Sequence, residues 1–261
     1  MFYLPHMTSK QAKAAFRETD LAIIPTGAVE SHGPHLGTGT DFIVAEEIAR
    51  RTARRANAIL LPALPYGYSS NHSDFEGTVS LSPESFRAVI DDICLSLHSH
   101  GIRRFLFING HAGNVALLQE VCDRLRALDS LGCIANWWQV VGHLSPDWMR
   151  TGHGDAIEAS AVLAIEPGAV QMAEAVPFAP KALTERLRVL SWDRLSFKGV
   201  VLGTWLGSRE ATDTGSTGTL EGTSAERGDA AIDAAASYLA DLVAELLKVD
   251  LEDIYPGSDS G

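Results

Sequence analysis

Short apolar runs alternate along the first half of the chain with amphipathic stretches of helical spacing. The apolar runs have the length of strands and lie at Asp20–Gly27, Asn57–Leu64, Arg103–Gly110 and Cys133–Val141. The amphipathic stretches lie between them, at Asp41–Arg55, Ser82–Gly101 and Val115–Leu128. This alternation is typical of β-α-β units, whose right-handed crossovers place helices on both faces of a parallel sheet. The pattern therefore predicts an α/β fold with a mostly parallel central sheet.

The clearest helix is predicted after Ser82, which is a favoured N-cap residue and is followed by Pro83 at the first helical position. Gly101 is expected to end that helix. A second long helix is predicted over Ala225–Val249. Between them, Pro177–Gly222 is rich in Gly, Thr and Ser and fits either a small antiparallel hairpin or a long functional loop. We expect a single domain over residues 1–261, with a disordered tail from about residue 257.

Composition and charge narrow the range of partners. The chain has 261 residues, 46% of them hydrophobic, and a formal net charge of −12. An acidic protein repels phosphate backbones and anionic lipid, so we expect no nucleic-acid partner and no membrane partner. Three cysteines without C-x-x-C spacing argue against a disulfide framework. With neither a signal-peptide pattern nor an apolar run of roughly 18 residues, the chain is expected to be cytoplasmic.

Candidate metal ligands follow two of the predicted strands. Glu30 and His32 come directly after the first strand, two residues apart, so an extended chain projects them to the same side. Asp41 follows the glycine-containing segment GTGT, which can fold the chain back. His111, in NGHAGN, follows another strand. Because ligands bind beyond the carboxyl ends of parallel strands, these four residues are expected to share one end of the sheet.

Carboxylate and imidazole ligands without thiolates suit Zn, Mn, Fe or Co, and a carboxylate can bridge two ions. Glu158, on a predicted helix, would add a third carboxylate. Three negative charges facing two divalent ions leave one charge for a bound hydroxide, which is the electrostatic profile of a hydrolase. Roles without metal binding or catalysis remain open at this point. Asp41 can be only a helix cap, Glu158 can face solvent, and His35 and His72 can be structural.

Four segments resemble, in order, those of the creatininase (creatinine amidohydrolase) family: PTGAVESHGPHLGTGTD, YGYSSNHSDFEGTVSLS, NGHAGN and HGDAIEAS. A later SAERG also fits. The resemblance covers roughly Ile23–Ile165 and implies a three-layer α/β/α fold with two divalent metal ions per chain, Zn, Mn or Fe. It further implies a homo-oligomer, a hexamer or smaller. The implied activity is hydrolysis of a C–N bond in a small cyclic amide, lactam or N-formyl compound through a metal-activated hydroxide.

The resemblance also carries roles onto individual residues of this sequence. The implied metal ligands are Glu30, His32, Asp41, His111 and Glu158, with Asp41 bridging. His153 falls on a histidine that moves a proton to the leaving nitrogen, and with Glu158 it forms the predicted catalytic pair. Such general acid catalysis contributes about 10²- to 10⁴-fold to a rate. The predicted substrate-binding residues are Ser80, His72 and His35.

Two departures from the family pattern argue against creatinine itself as the substrate. Creatininases carry a glutamate at the position of Gly113, and a tryptophan and an aspartate at the positions of Met149 and Arg150. Trp137, Trp138 and Trp148 are candidates to shape a pocket for a flat substrate, or to fill the core. Other functions stay open: a peptide-trimming hydrolase of a small precursor, a metal-dependent lactonase or isomerase, and a non-catalytic ligand-binding scaffold.

Overall fold

The structure is a computed structural model that describes residues 2–179 and 181–254. Its central sheet has five parallel strands in the order β1-β3-β2-β4-β5. The strands are β1 (Phe2–Tyr3), β2 (Leu21–Thr26), β3 (Ile59–Leu60), β4 (Arg104–Asn109) and β5 (Leu131–Asn136). The predicted disordered tail lies outside the described residues.

Helices cover both faces of this sheet. One face carries α1 (Ser9–Glu18), α3 (Pro83–Ser99) and α4 (Val115–Arg126), and the other carries α2 (Thr40–Arg55), α5 (Trp137–Leu144), α6 (Ala156–Ile165) and α8 (Ala225–Leu246). Side chains alternate between the faces: Leu21 and Ile23 enter one core, whereas Ala22 and Ile24 enter the other. Both faces of β2 are therefore buried. The predicted three-layer α/β/α fold is confirmed.

Helix α3 begins and ends where the sequence predicts. The Ser82 hydroxyl accepts a hydrogen bond from the backbone N–H of Ser85, and Pro83 is the first helical residue. Gly101, just beyond the helix, has φ +98°, a left-handed conformation that glycine adopts without steric cost. Helix α1 was not predicted, although its N-cap Thr8 and Gln11 form a capping box, a readable sequence pattern.

The prediction of one strand over Cys133–Val141 is wrong. Strand β5 ends at Asn136, and α5 begins at Trp137. Trp137 and Val141 are both buried, four residues apart, as on one face of a helix. A continuous apolar run conceals that spacing, because neighbouring apolar residues satisfy the strand and the helix pattern equally.

The Gly-rich region forms a second, antiparallel sheet of three strands, one more than the predicted hairpin. Its strands are β6 (Leu187–Ser191), β7 (Arg194–Phe197) and β8 (Val200–Gly203), and α7 (Ser208–Ala211) follows. The turn between β6 and β7 contains Trp192 and Asp193. A last short helix, α9, spans Leu251–Ile254. Within residues 2–179 and 181–254, no helix has the length and apolar character needed to span a membrane.

Candidate metal centre

Two strand ends and one helix start bring three ligands together. Glu30 follows β2, Asp41 lies in the first turn of α2, and His111 follows β4. His111 Nδ1 lies 3.0 Å from Asp41 Oδ2 and 3.2 Å from Glu30 Oε1. We call these three buried residues the first cluster.

The approach of α2 to β4 depends on a glycine. A Cβ atom at Gly110 would overlap the backbone carbonyl oxygen of Asp41. Only a residue without a side chain lets the first turn of α2 pack directly on the end of β4. That contact places the Asp41 carboxylate beside His111.

A second cluster adjoins the first and consists of His32, Glu158 and His153. His32 Nε2 lies 3.1 Å from Asp41 Oδ1 and 3.9 Å from Glu158 Oε2. Asp41 therefore presents one carboxylate oxygen to each cluster. This is the arrangement expected of a carboxylate that bridges two ions.

Backbone carbonyls fix the orientation of two imidazoles. His32 Nδ1 lies 3.1 Å from the carbonyl oxygen of Glu30, and His111 Nε2 lies 2.8 Å from that of Tyr68. A carbonyl oxygen only accepts, so each of these nitrogens carries a hydrogen and donates it. The remaining nitrogens, His32 Nε2 and His111 Nδ1, face the carboxylates, as in metal-binding histidines held by a carbonyl.

Several buried polar atoms in or beside these clusters have no hydrogen-bond partner among the described residues: Glu30 Oε2, Asp41 Oδ2, His72 Nε2 and Glu158 Oε1, the last of which still forms an ion pair with Arg150. Although Asp41 Oδ2 is near His111, the pair lacks hydrogen-bond alignment. An unsatisfied buried polar atom costs about 1–3 kcal/mol. Divalent ions between the carboxylates and imidazoles would remove this cost. The donor set, all oxygen and imidazole nitrogen, therefore fits divalent ions such as Zn and Mn.

The electrostatics of the centre are those of tightly coupled opposite charges. Burial opposes ionisation of Asp41, but His32 and His111 outweigh it and hold the pKa of that carboxyl below its ordinary range. Burial also disfavours a charged His32, yet Asp41 and Glu158 raise its pKa to about 9. For Glu158, burial dominates and raises the pKa to about 7, although Arg150 and His32 act in the opposite direction.

Metal uptake is expected to release at least about one proton per ion at pH 7, since Glu158, with a pKa of about 7, also loses part of a proton. In the metal-free protein, the pKa values of His32 and His111 lie above 6.5, so both imidazoles hold an extra proton at pH 7. An ion must displace that proton, and affinity should therefore rise with pH until His32 is neutral, above about pH 9. Calorimetric titration in buffers of different ionisation enthalpy measures the release. Binding heats that do not depend on the buffer would contradict the prediction.

His153 is close enough to coordinate, but its hydrogen bonds argue against coordination. Its Nε2 lies 2.8 Å from the carbonyl oxygen of Ser31, so that nitrogen carries a hydrogen. Its Nδ1 faces Nη2 of Arg150 at 3.4 Å and accepts from it. Burial, with the positive charges of His32 and other neighbours, lowers the pKa of His153 well below 6.5. The ring is therefore neutral and holds its one exchangeable hydrogen at Nε2.

A cavity opens beside the clusters, and His72 is the predicted substrate-binding residue that lines it. The Ser208 hydroxyl lies 3.0 Å from His72 Nδ1, and the His72 ring lies 4.4 Å from the ring of His153. Three further lining residues were not predicted: Asn71, Trp192 and Trp205. Both tryptophans come from the antiparallel sheet or its flank. Nothing in the local sequence distinguishes them from ordinary loop residues.

Ser80 and His35 are not among the described residues that line this cavity, and their role as substrate contacts stays a prediction. The Ser80 hydroxyl accepts from the backbone N–H of Ser69 and donates to the Leu81 carbonyl oxygen. His35 Nε2 donates to the carbonyl oxygen of Gly154. Both side chains are engaged by backbone and hold the loops behind the clusters in place.

The structure explains the glycine at position 113. A Cβ atom there would overlap the carbonyl oxygen of Tyr68 and the ring of His111, so no side chain fits. Glu158, from α6, provides the carboxylate that this loop does not. Of the three tryptophans considered for the pocket, Trp137 lies in the core, Trp148 packs against it, and Trp138 stacks under Arg150.

Asp155 positions Glu158, and D155A is expected to lower the free energy of unfolding by about 2–4 kcal/mol. Its Oδ1 caps α6 by accepting from the Glu158 N–H, and its Oδ2 accepts from the N–H groups of Thr151 and Gly152. Urea unfolding midpoints measure the loss. Ser224 only caps α8, so the S224A control should lose about 1 kcal/mol. Equal losses would contradict the wider role of Asp155.

Comparison with known proteins identifies the family of this chain. Residues 5–243 match the family described as Creatininase: Creatinine amidohydrolase. Creatinine amidohydrolase of Pseudomonas putida is 29% identical over 200 residues, 68% of this chain and 77% of that protein. The mycofactocin precursor peptide peptidase of Mycobacterium tuberculosis is 36% identical over 115 residues, 40% of this chain and 45% of that protein. A crystal structure of creatinine amidohydrolase covers 95% of this chain and 98% of its own, with TM-score 0.78 and 25% identity. The chain therefore belongs to the creatininase family.

Proposed function

We propose that the protein is a metal-dependent amidohydrolase that cleaves a C–N bond in a small cyclic amide, lactam or N-formyl compound. One observation carries the proposal. Two buried clusters adjoin at Asp41, whose two oxygens face one cluster each, and they hold carboxylates with shifted pKa values beside an open cavity. Buried titratable groups whose pKa values are shifted by burial and by specific charge partners occur preferentially at functional sites.

The residues divide into two ligand groups. Glu30, Asp41 and His111 would hold one ion, and His32, Asp41 and Glu158 the other. When bound, such ions polarise an amide carbonyl and lower the pKa of water to about 7. The chain itself keeps both imidazoles in the ligating orientation through the carbonyl groups described above.

His153 would serve the leaving nitrogen. An amine leaves poorly unless it is protonated, and the His153 ring lies at the cavity wall between His32 and His72. Because Nε2 already carries a hydrogen, Nδ1 would be the nitrogen that accepts a proton from the attacking water, once its long 3.4 Å contact with Arg150 opens, and it would return that proton to the leaving nitrogen as the C–N bond breaks. Ser31 fixes the ring through its carbonyl oxygen.

The cavity wall favours a small, flat substrate. Trp192 contacts His72 and His153 edge-on, with ring centroids 4.4 and 5.0 Å away. Trp205 is 63% exposed and lies at the same cavity. Aromatic side chains bind planar groups through large apolar faces. Asn71 offers both a donor and an acceptor to an amide group.

The experiment is a hydrolysis screen on protein purified without chelator. Lactams, formamides and cyclic ureas are incubated with metal-loaded protein and with chelator-stripped protein, and the released amine is quantified. Turnover that disappears on stripping and returns with Mn²⁺ or Zn²⁺ supports the proposal. A protein that holds two ions and hydrolyses nothing in the panel would instead favour a ligand-binding scaffold.

A second candidate is peptide trimming, favoured by the similarity to the mycofactocin precursor peptide peptidase. The same metal ligands would serve small-amide hydrolysis and peptide trimming, so the identity of the substrate distinguishes the two functions. Adding short linear peptides to the screen separates the two, since a trimming enzyme releases a terminal fragment and leaves lactams intact. A lactonase or isomerase would convert an ester or a carbonyl compound without releasing amine.

The proposal also includes the cellular compartment and the oligomeric state of the protein. All three cysteines are free, which suits a reducing, cytoplasmic compartment. We further propose a homo-oligomer, because the family resemblance implies one. Light scattering of the purified protein measures the assembly state.

A further inference from the structure

Arg150 distinguishes the two ligand clusters. Its Nε lies 3.1 Å from Glu158 Oε1, in the second cluster, and its Nη2 lies 3.4 Å from His153 Nδ1. Among the described residues, no lysine or arginine lies within 4.0 Å of the carboxylates of Glu30 or Asp41. A permanent positive charge therefore faces one cluster and not the other.

The guanidinium is held in that position. Arg150 Nε donates to the carbonyl oxygen of Gly152 at 2.5 Å, and the guanidinium lies 5.2 Å from the Trp138 ring centroid. Only 17% of the side chain is exposed, so solvent screens its charge weakly. The backbone N–H of Gly154 donates to the other oxygen of Glu158 at 2.6 Å. Both oxygens of Glu158 thus already face positive or partly positive groups.

We propose that Arg150 makes the second cluster the weaker metal site, so that the two ions bind with clearly different affinities. A divalent ion held by Glu158 and His32 would sit next to a fixed guanidinium, and like charges a few ångströms apart repel strongly in a buried setting. Glu158 must also share its charge between the ion and Arg150. The expected affinity of the second cluster is at least about tenfold lower than that of the first. The inference rests on the proposed metal centre.

The test is an equilibrium titration of chelator-stripped, full-length protein with Mn²⁺ alone, with free Mn²⁺ followed by electron paramagnetic resonance. The wild type should bind one ion tightly and a second at least about tenfold more weakly. R150M removes the charge and should tighten the second site at least about tenfold. R150K keeps the charge and should behave as the wild type. E158Q should lose the weak ion alone.

R126M is the matched control, because it removes the same charge from an exposed site that, in the part of the chain the structure describes, forms an ion pair with Asp123 alone. R150Q is a second neutral variant that still can donate to the Gly152 carbonyl. Equal wild-type affinities for both ions, or no tightening in R150M and R150Q, would overturn the inference. So would loss of both ions in these two variants, since the guanidinium would then only support the loop. Binding of no ion by any variant, wild type included, would overturn the proposed function itself.

Discussion

Replacing Asp41 with asparagine is expected to remove both metal ions and to lower kcat/KM by more than about 10³-fold. The Asp41 carboxylate faces both clusters with different oxygens, Oδ1 toward His32 and Oδ2 toward His111. An amide provides no charge and only one good ligand oxygen. Both ions would then lose a ligand, and the protons on His32 and His111 would compete with what remains.

Elemental mass spectrometry and hydrolysis of the substrate found in the screen measure the two effects. D123N is the matched control, because the Asp123 carboxylate is 80% exposed and, within residues 2–179 and 181–254, pairs with Arg126 alone, at 3.8 Å. It should keep two ions and full activity. Circular dichroism checks that D41N is folded. A folded D41N protein that retains both ions and hydrolyses at the wild-type rate would refute the shared role of Asp41.

Much of the fold could be predicted from the sequence because both faces of the central strands are buried. Near-continuous apolar sequence in β2 and β4 follows directly from helices on each side of the sheet. Capping residues located helix ends more exactly, as Ser82 and Gly101 did for the two ends of α3. The same burial caused the error at Trp137, because an apolar run between two buried layers contains no polar positions to reveal its period.

The clustering of the predicted ligands could be foreseen for a different reason, which is that a parallel sheet brings its strand ends together at one edge. Glu30 and His111 are far apart in sequence, yet β2 and β4 are adjacent and pair along their whole length. The strand pattern therefore predicts their meeting. Glu158 required the family resemblance, since its place on α6 depends on how that helix packs, which spacing alone does not give.

The residues that line the cavity could not all be predicted from the sequence. Trp192 reaches His72 across a long sequence separation, from a turn in an antiparallel sheet whose packing no local pattern specifies. Ser80 and His35, predicted as substrate contacts, instead form hydrogen bonds with backbone groups behind the two clusters. A polar residue in a motif near the site can equally support a loop or face a substrate, and only coordinates separate the two.

Gly113 and Arg150 are linked through Glu158. The tight packing at Gly113 excludes a carboxylate from the loop after β4, whereas α6 places the Glu158 carboxylate beside His32. A buried carboxylate at that place needs compensation, and its pKa of about 7 shows that burial still outweighs the nearby charges. Arg150 partly compensates for it when no ion is present. The departures from the creatininase pattern therefore redistribute charge around the second cluster.

The H153Q variant is expected to keep both ions while kcat/KM falls by about 10²- to 10⁴-fold. His153 Nε2 holds a hydrogen that it donates to Ser31, so this nitrogen has no lone pair for a metal. Glutamine can still donate to that carbonyl, but it cannot carry a proton between water and the leaving nitrogen. Metal content and kcat/KM, measured on the same preparation, separate a ligand from a proton carrier.

The leaving group provides the sharper measurement. If His153 protonates the departing nitrogen, the loss in H153Q should shrink for an activated anilide, whose nitrogen departs with little help, and stay large for an alkyl amide. H143Q, at an exposed histidine far along α5, should leave both substrates unaffected. An equal loss for both amides would assign His153 to the positioning of neighbouring groups. Loss of one ion would place it among the ligands, and Ser31 would then have to release the ring before the metal binds.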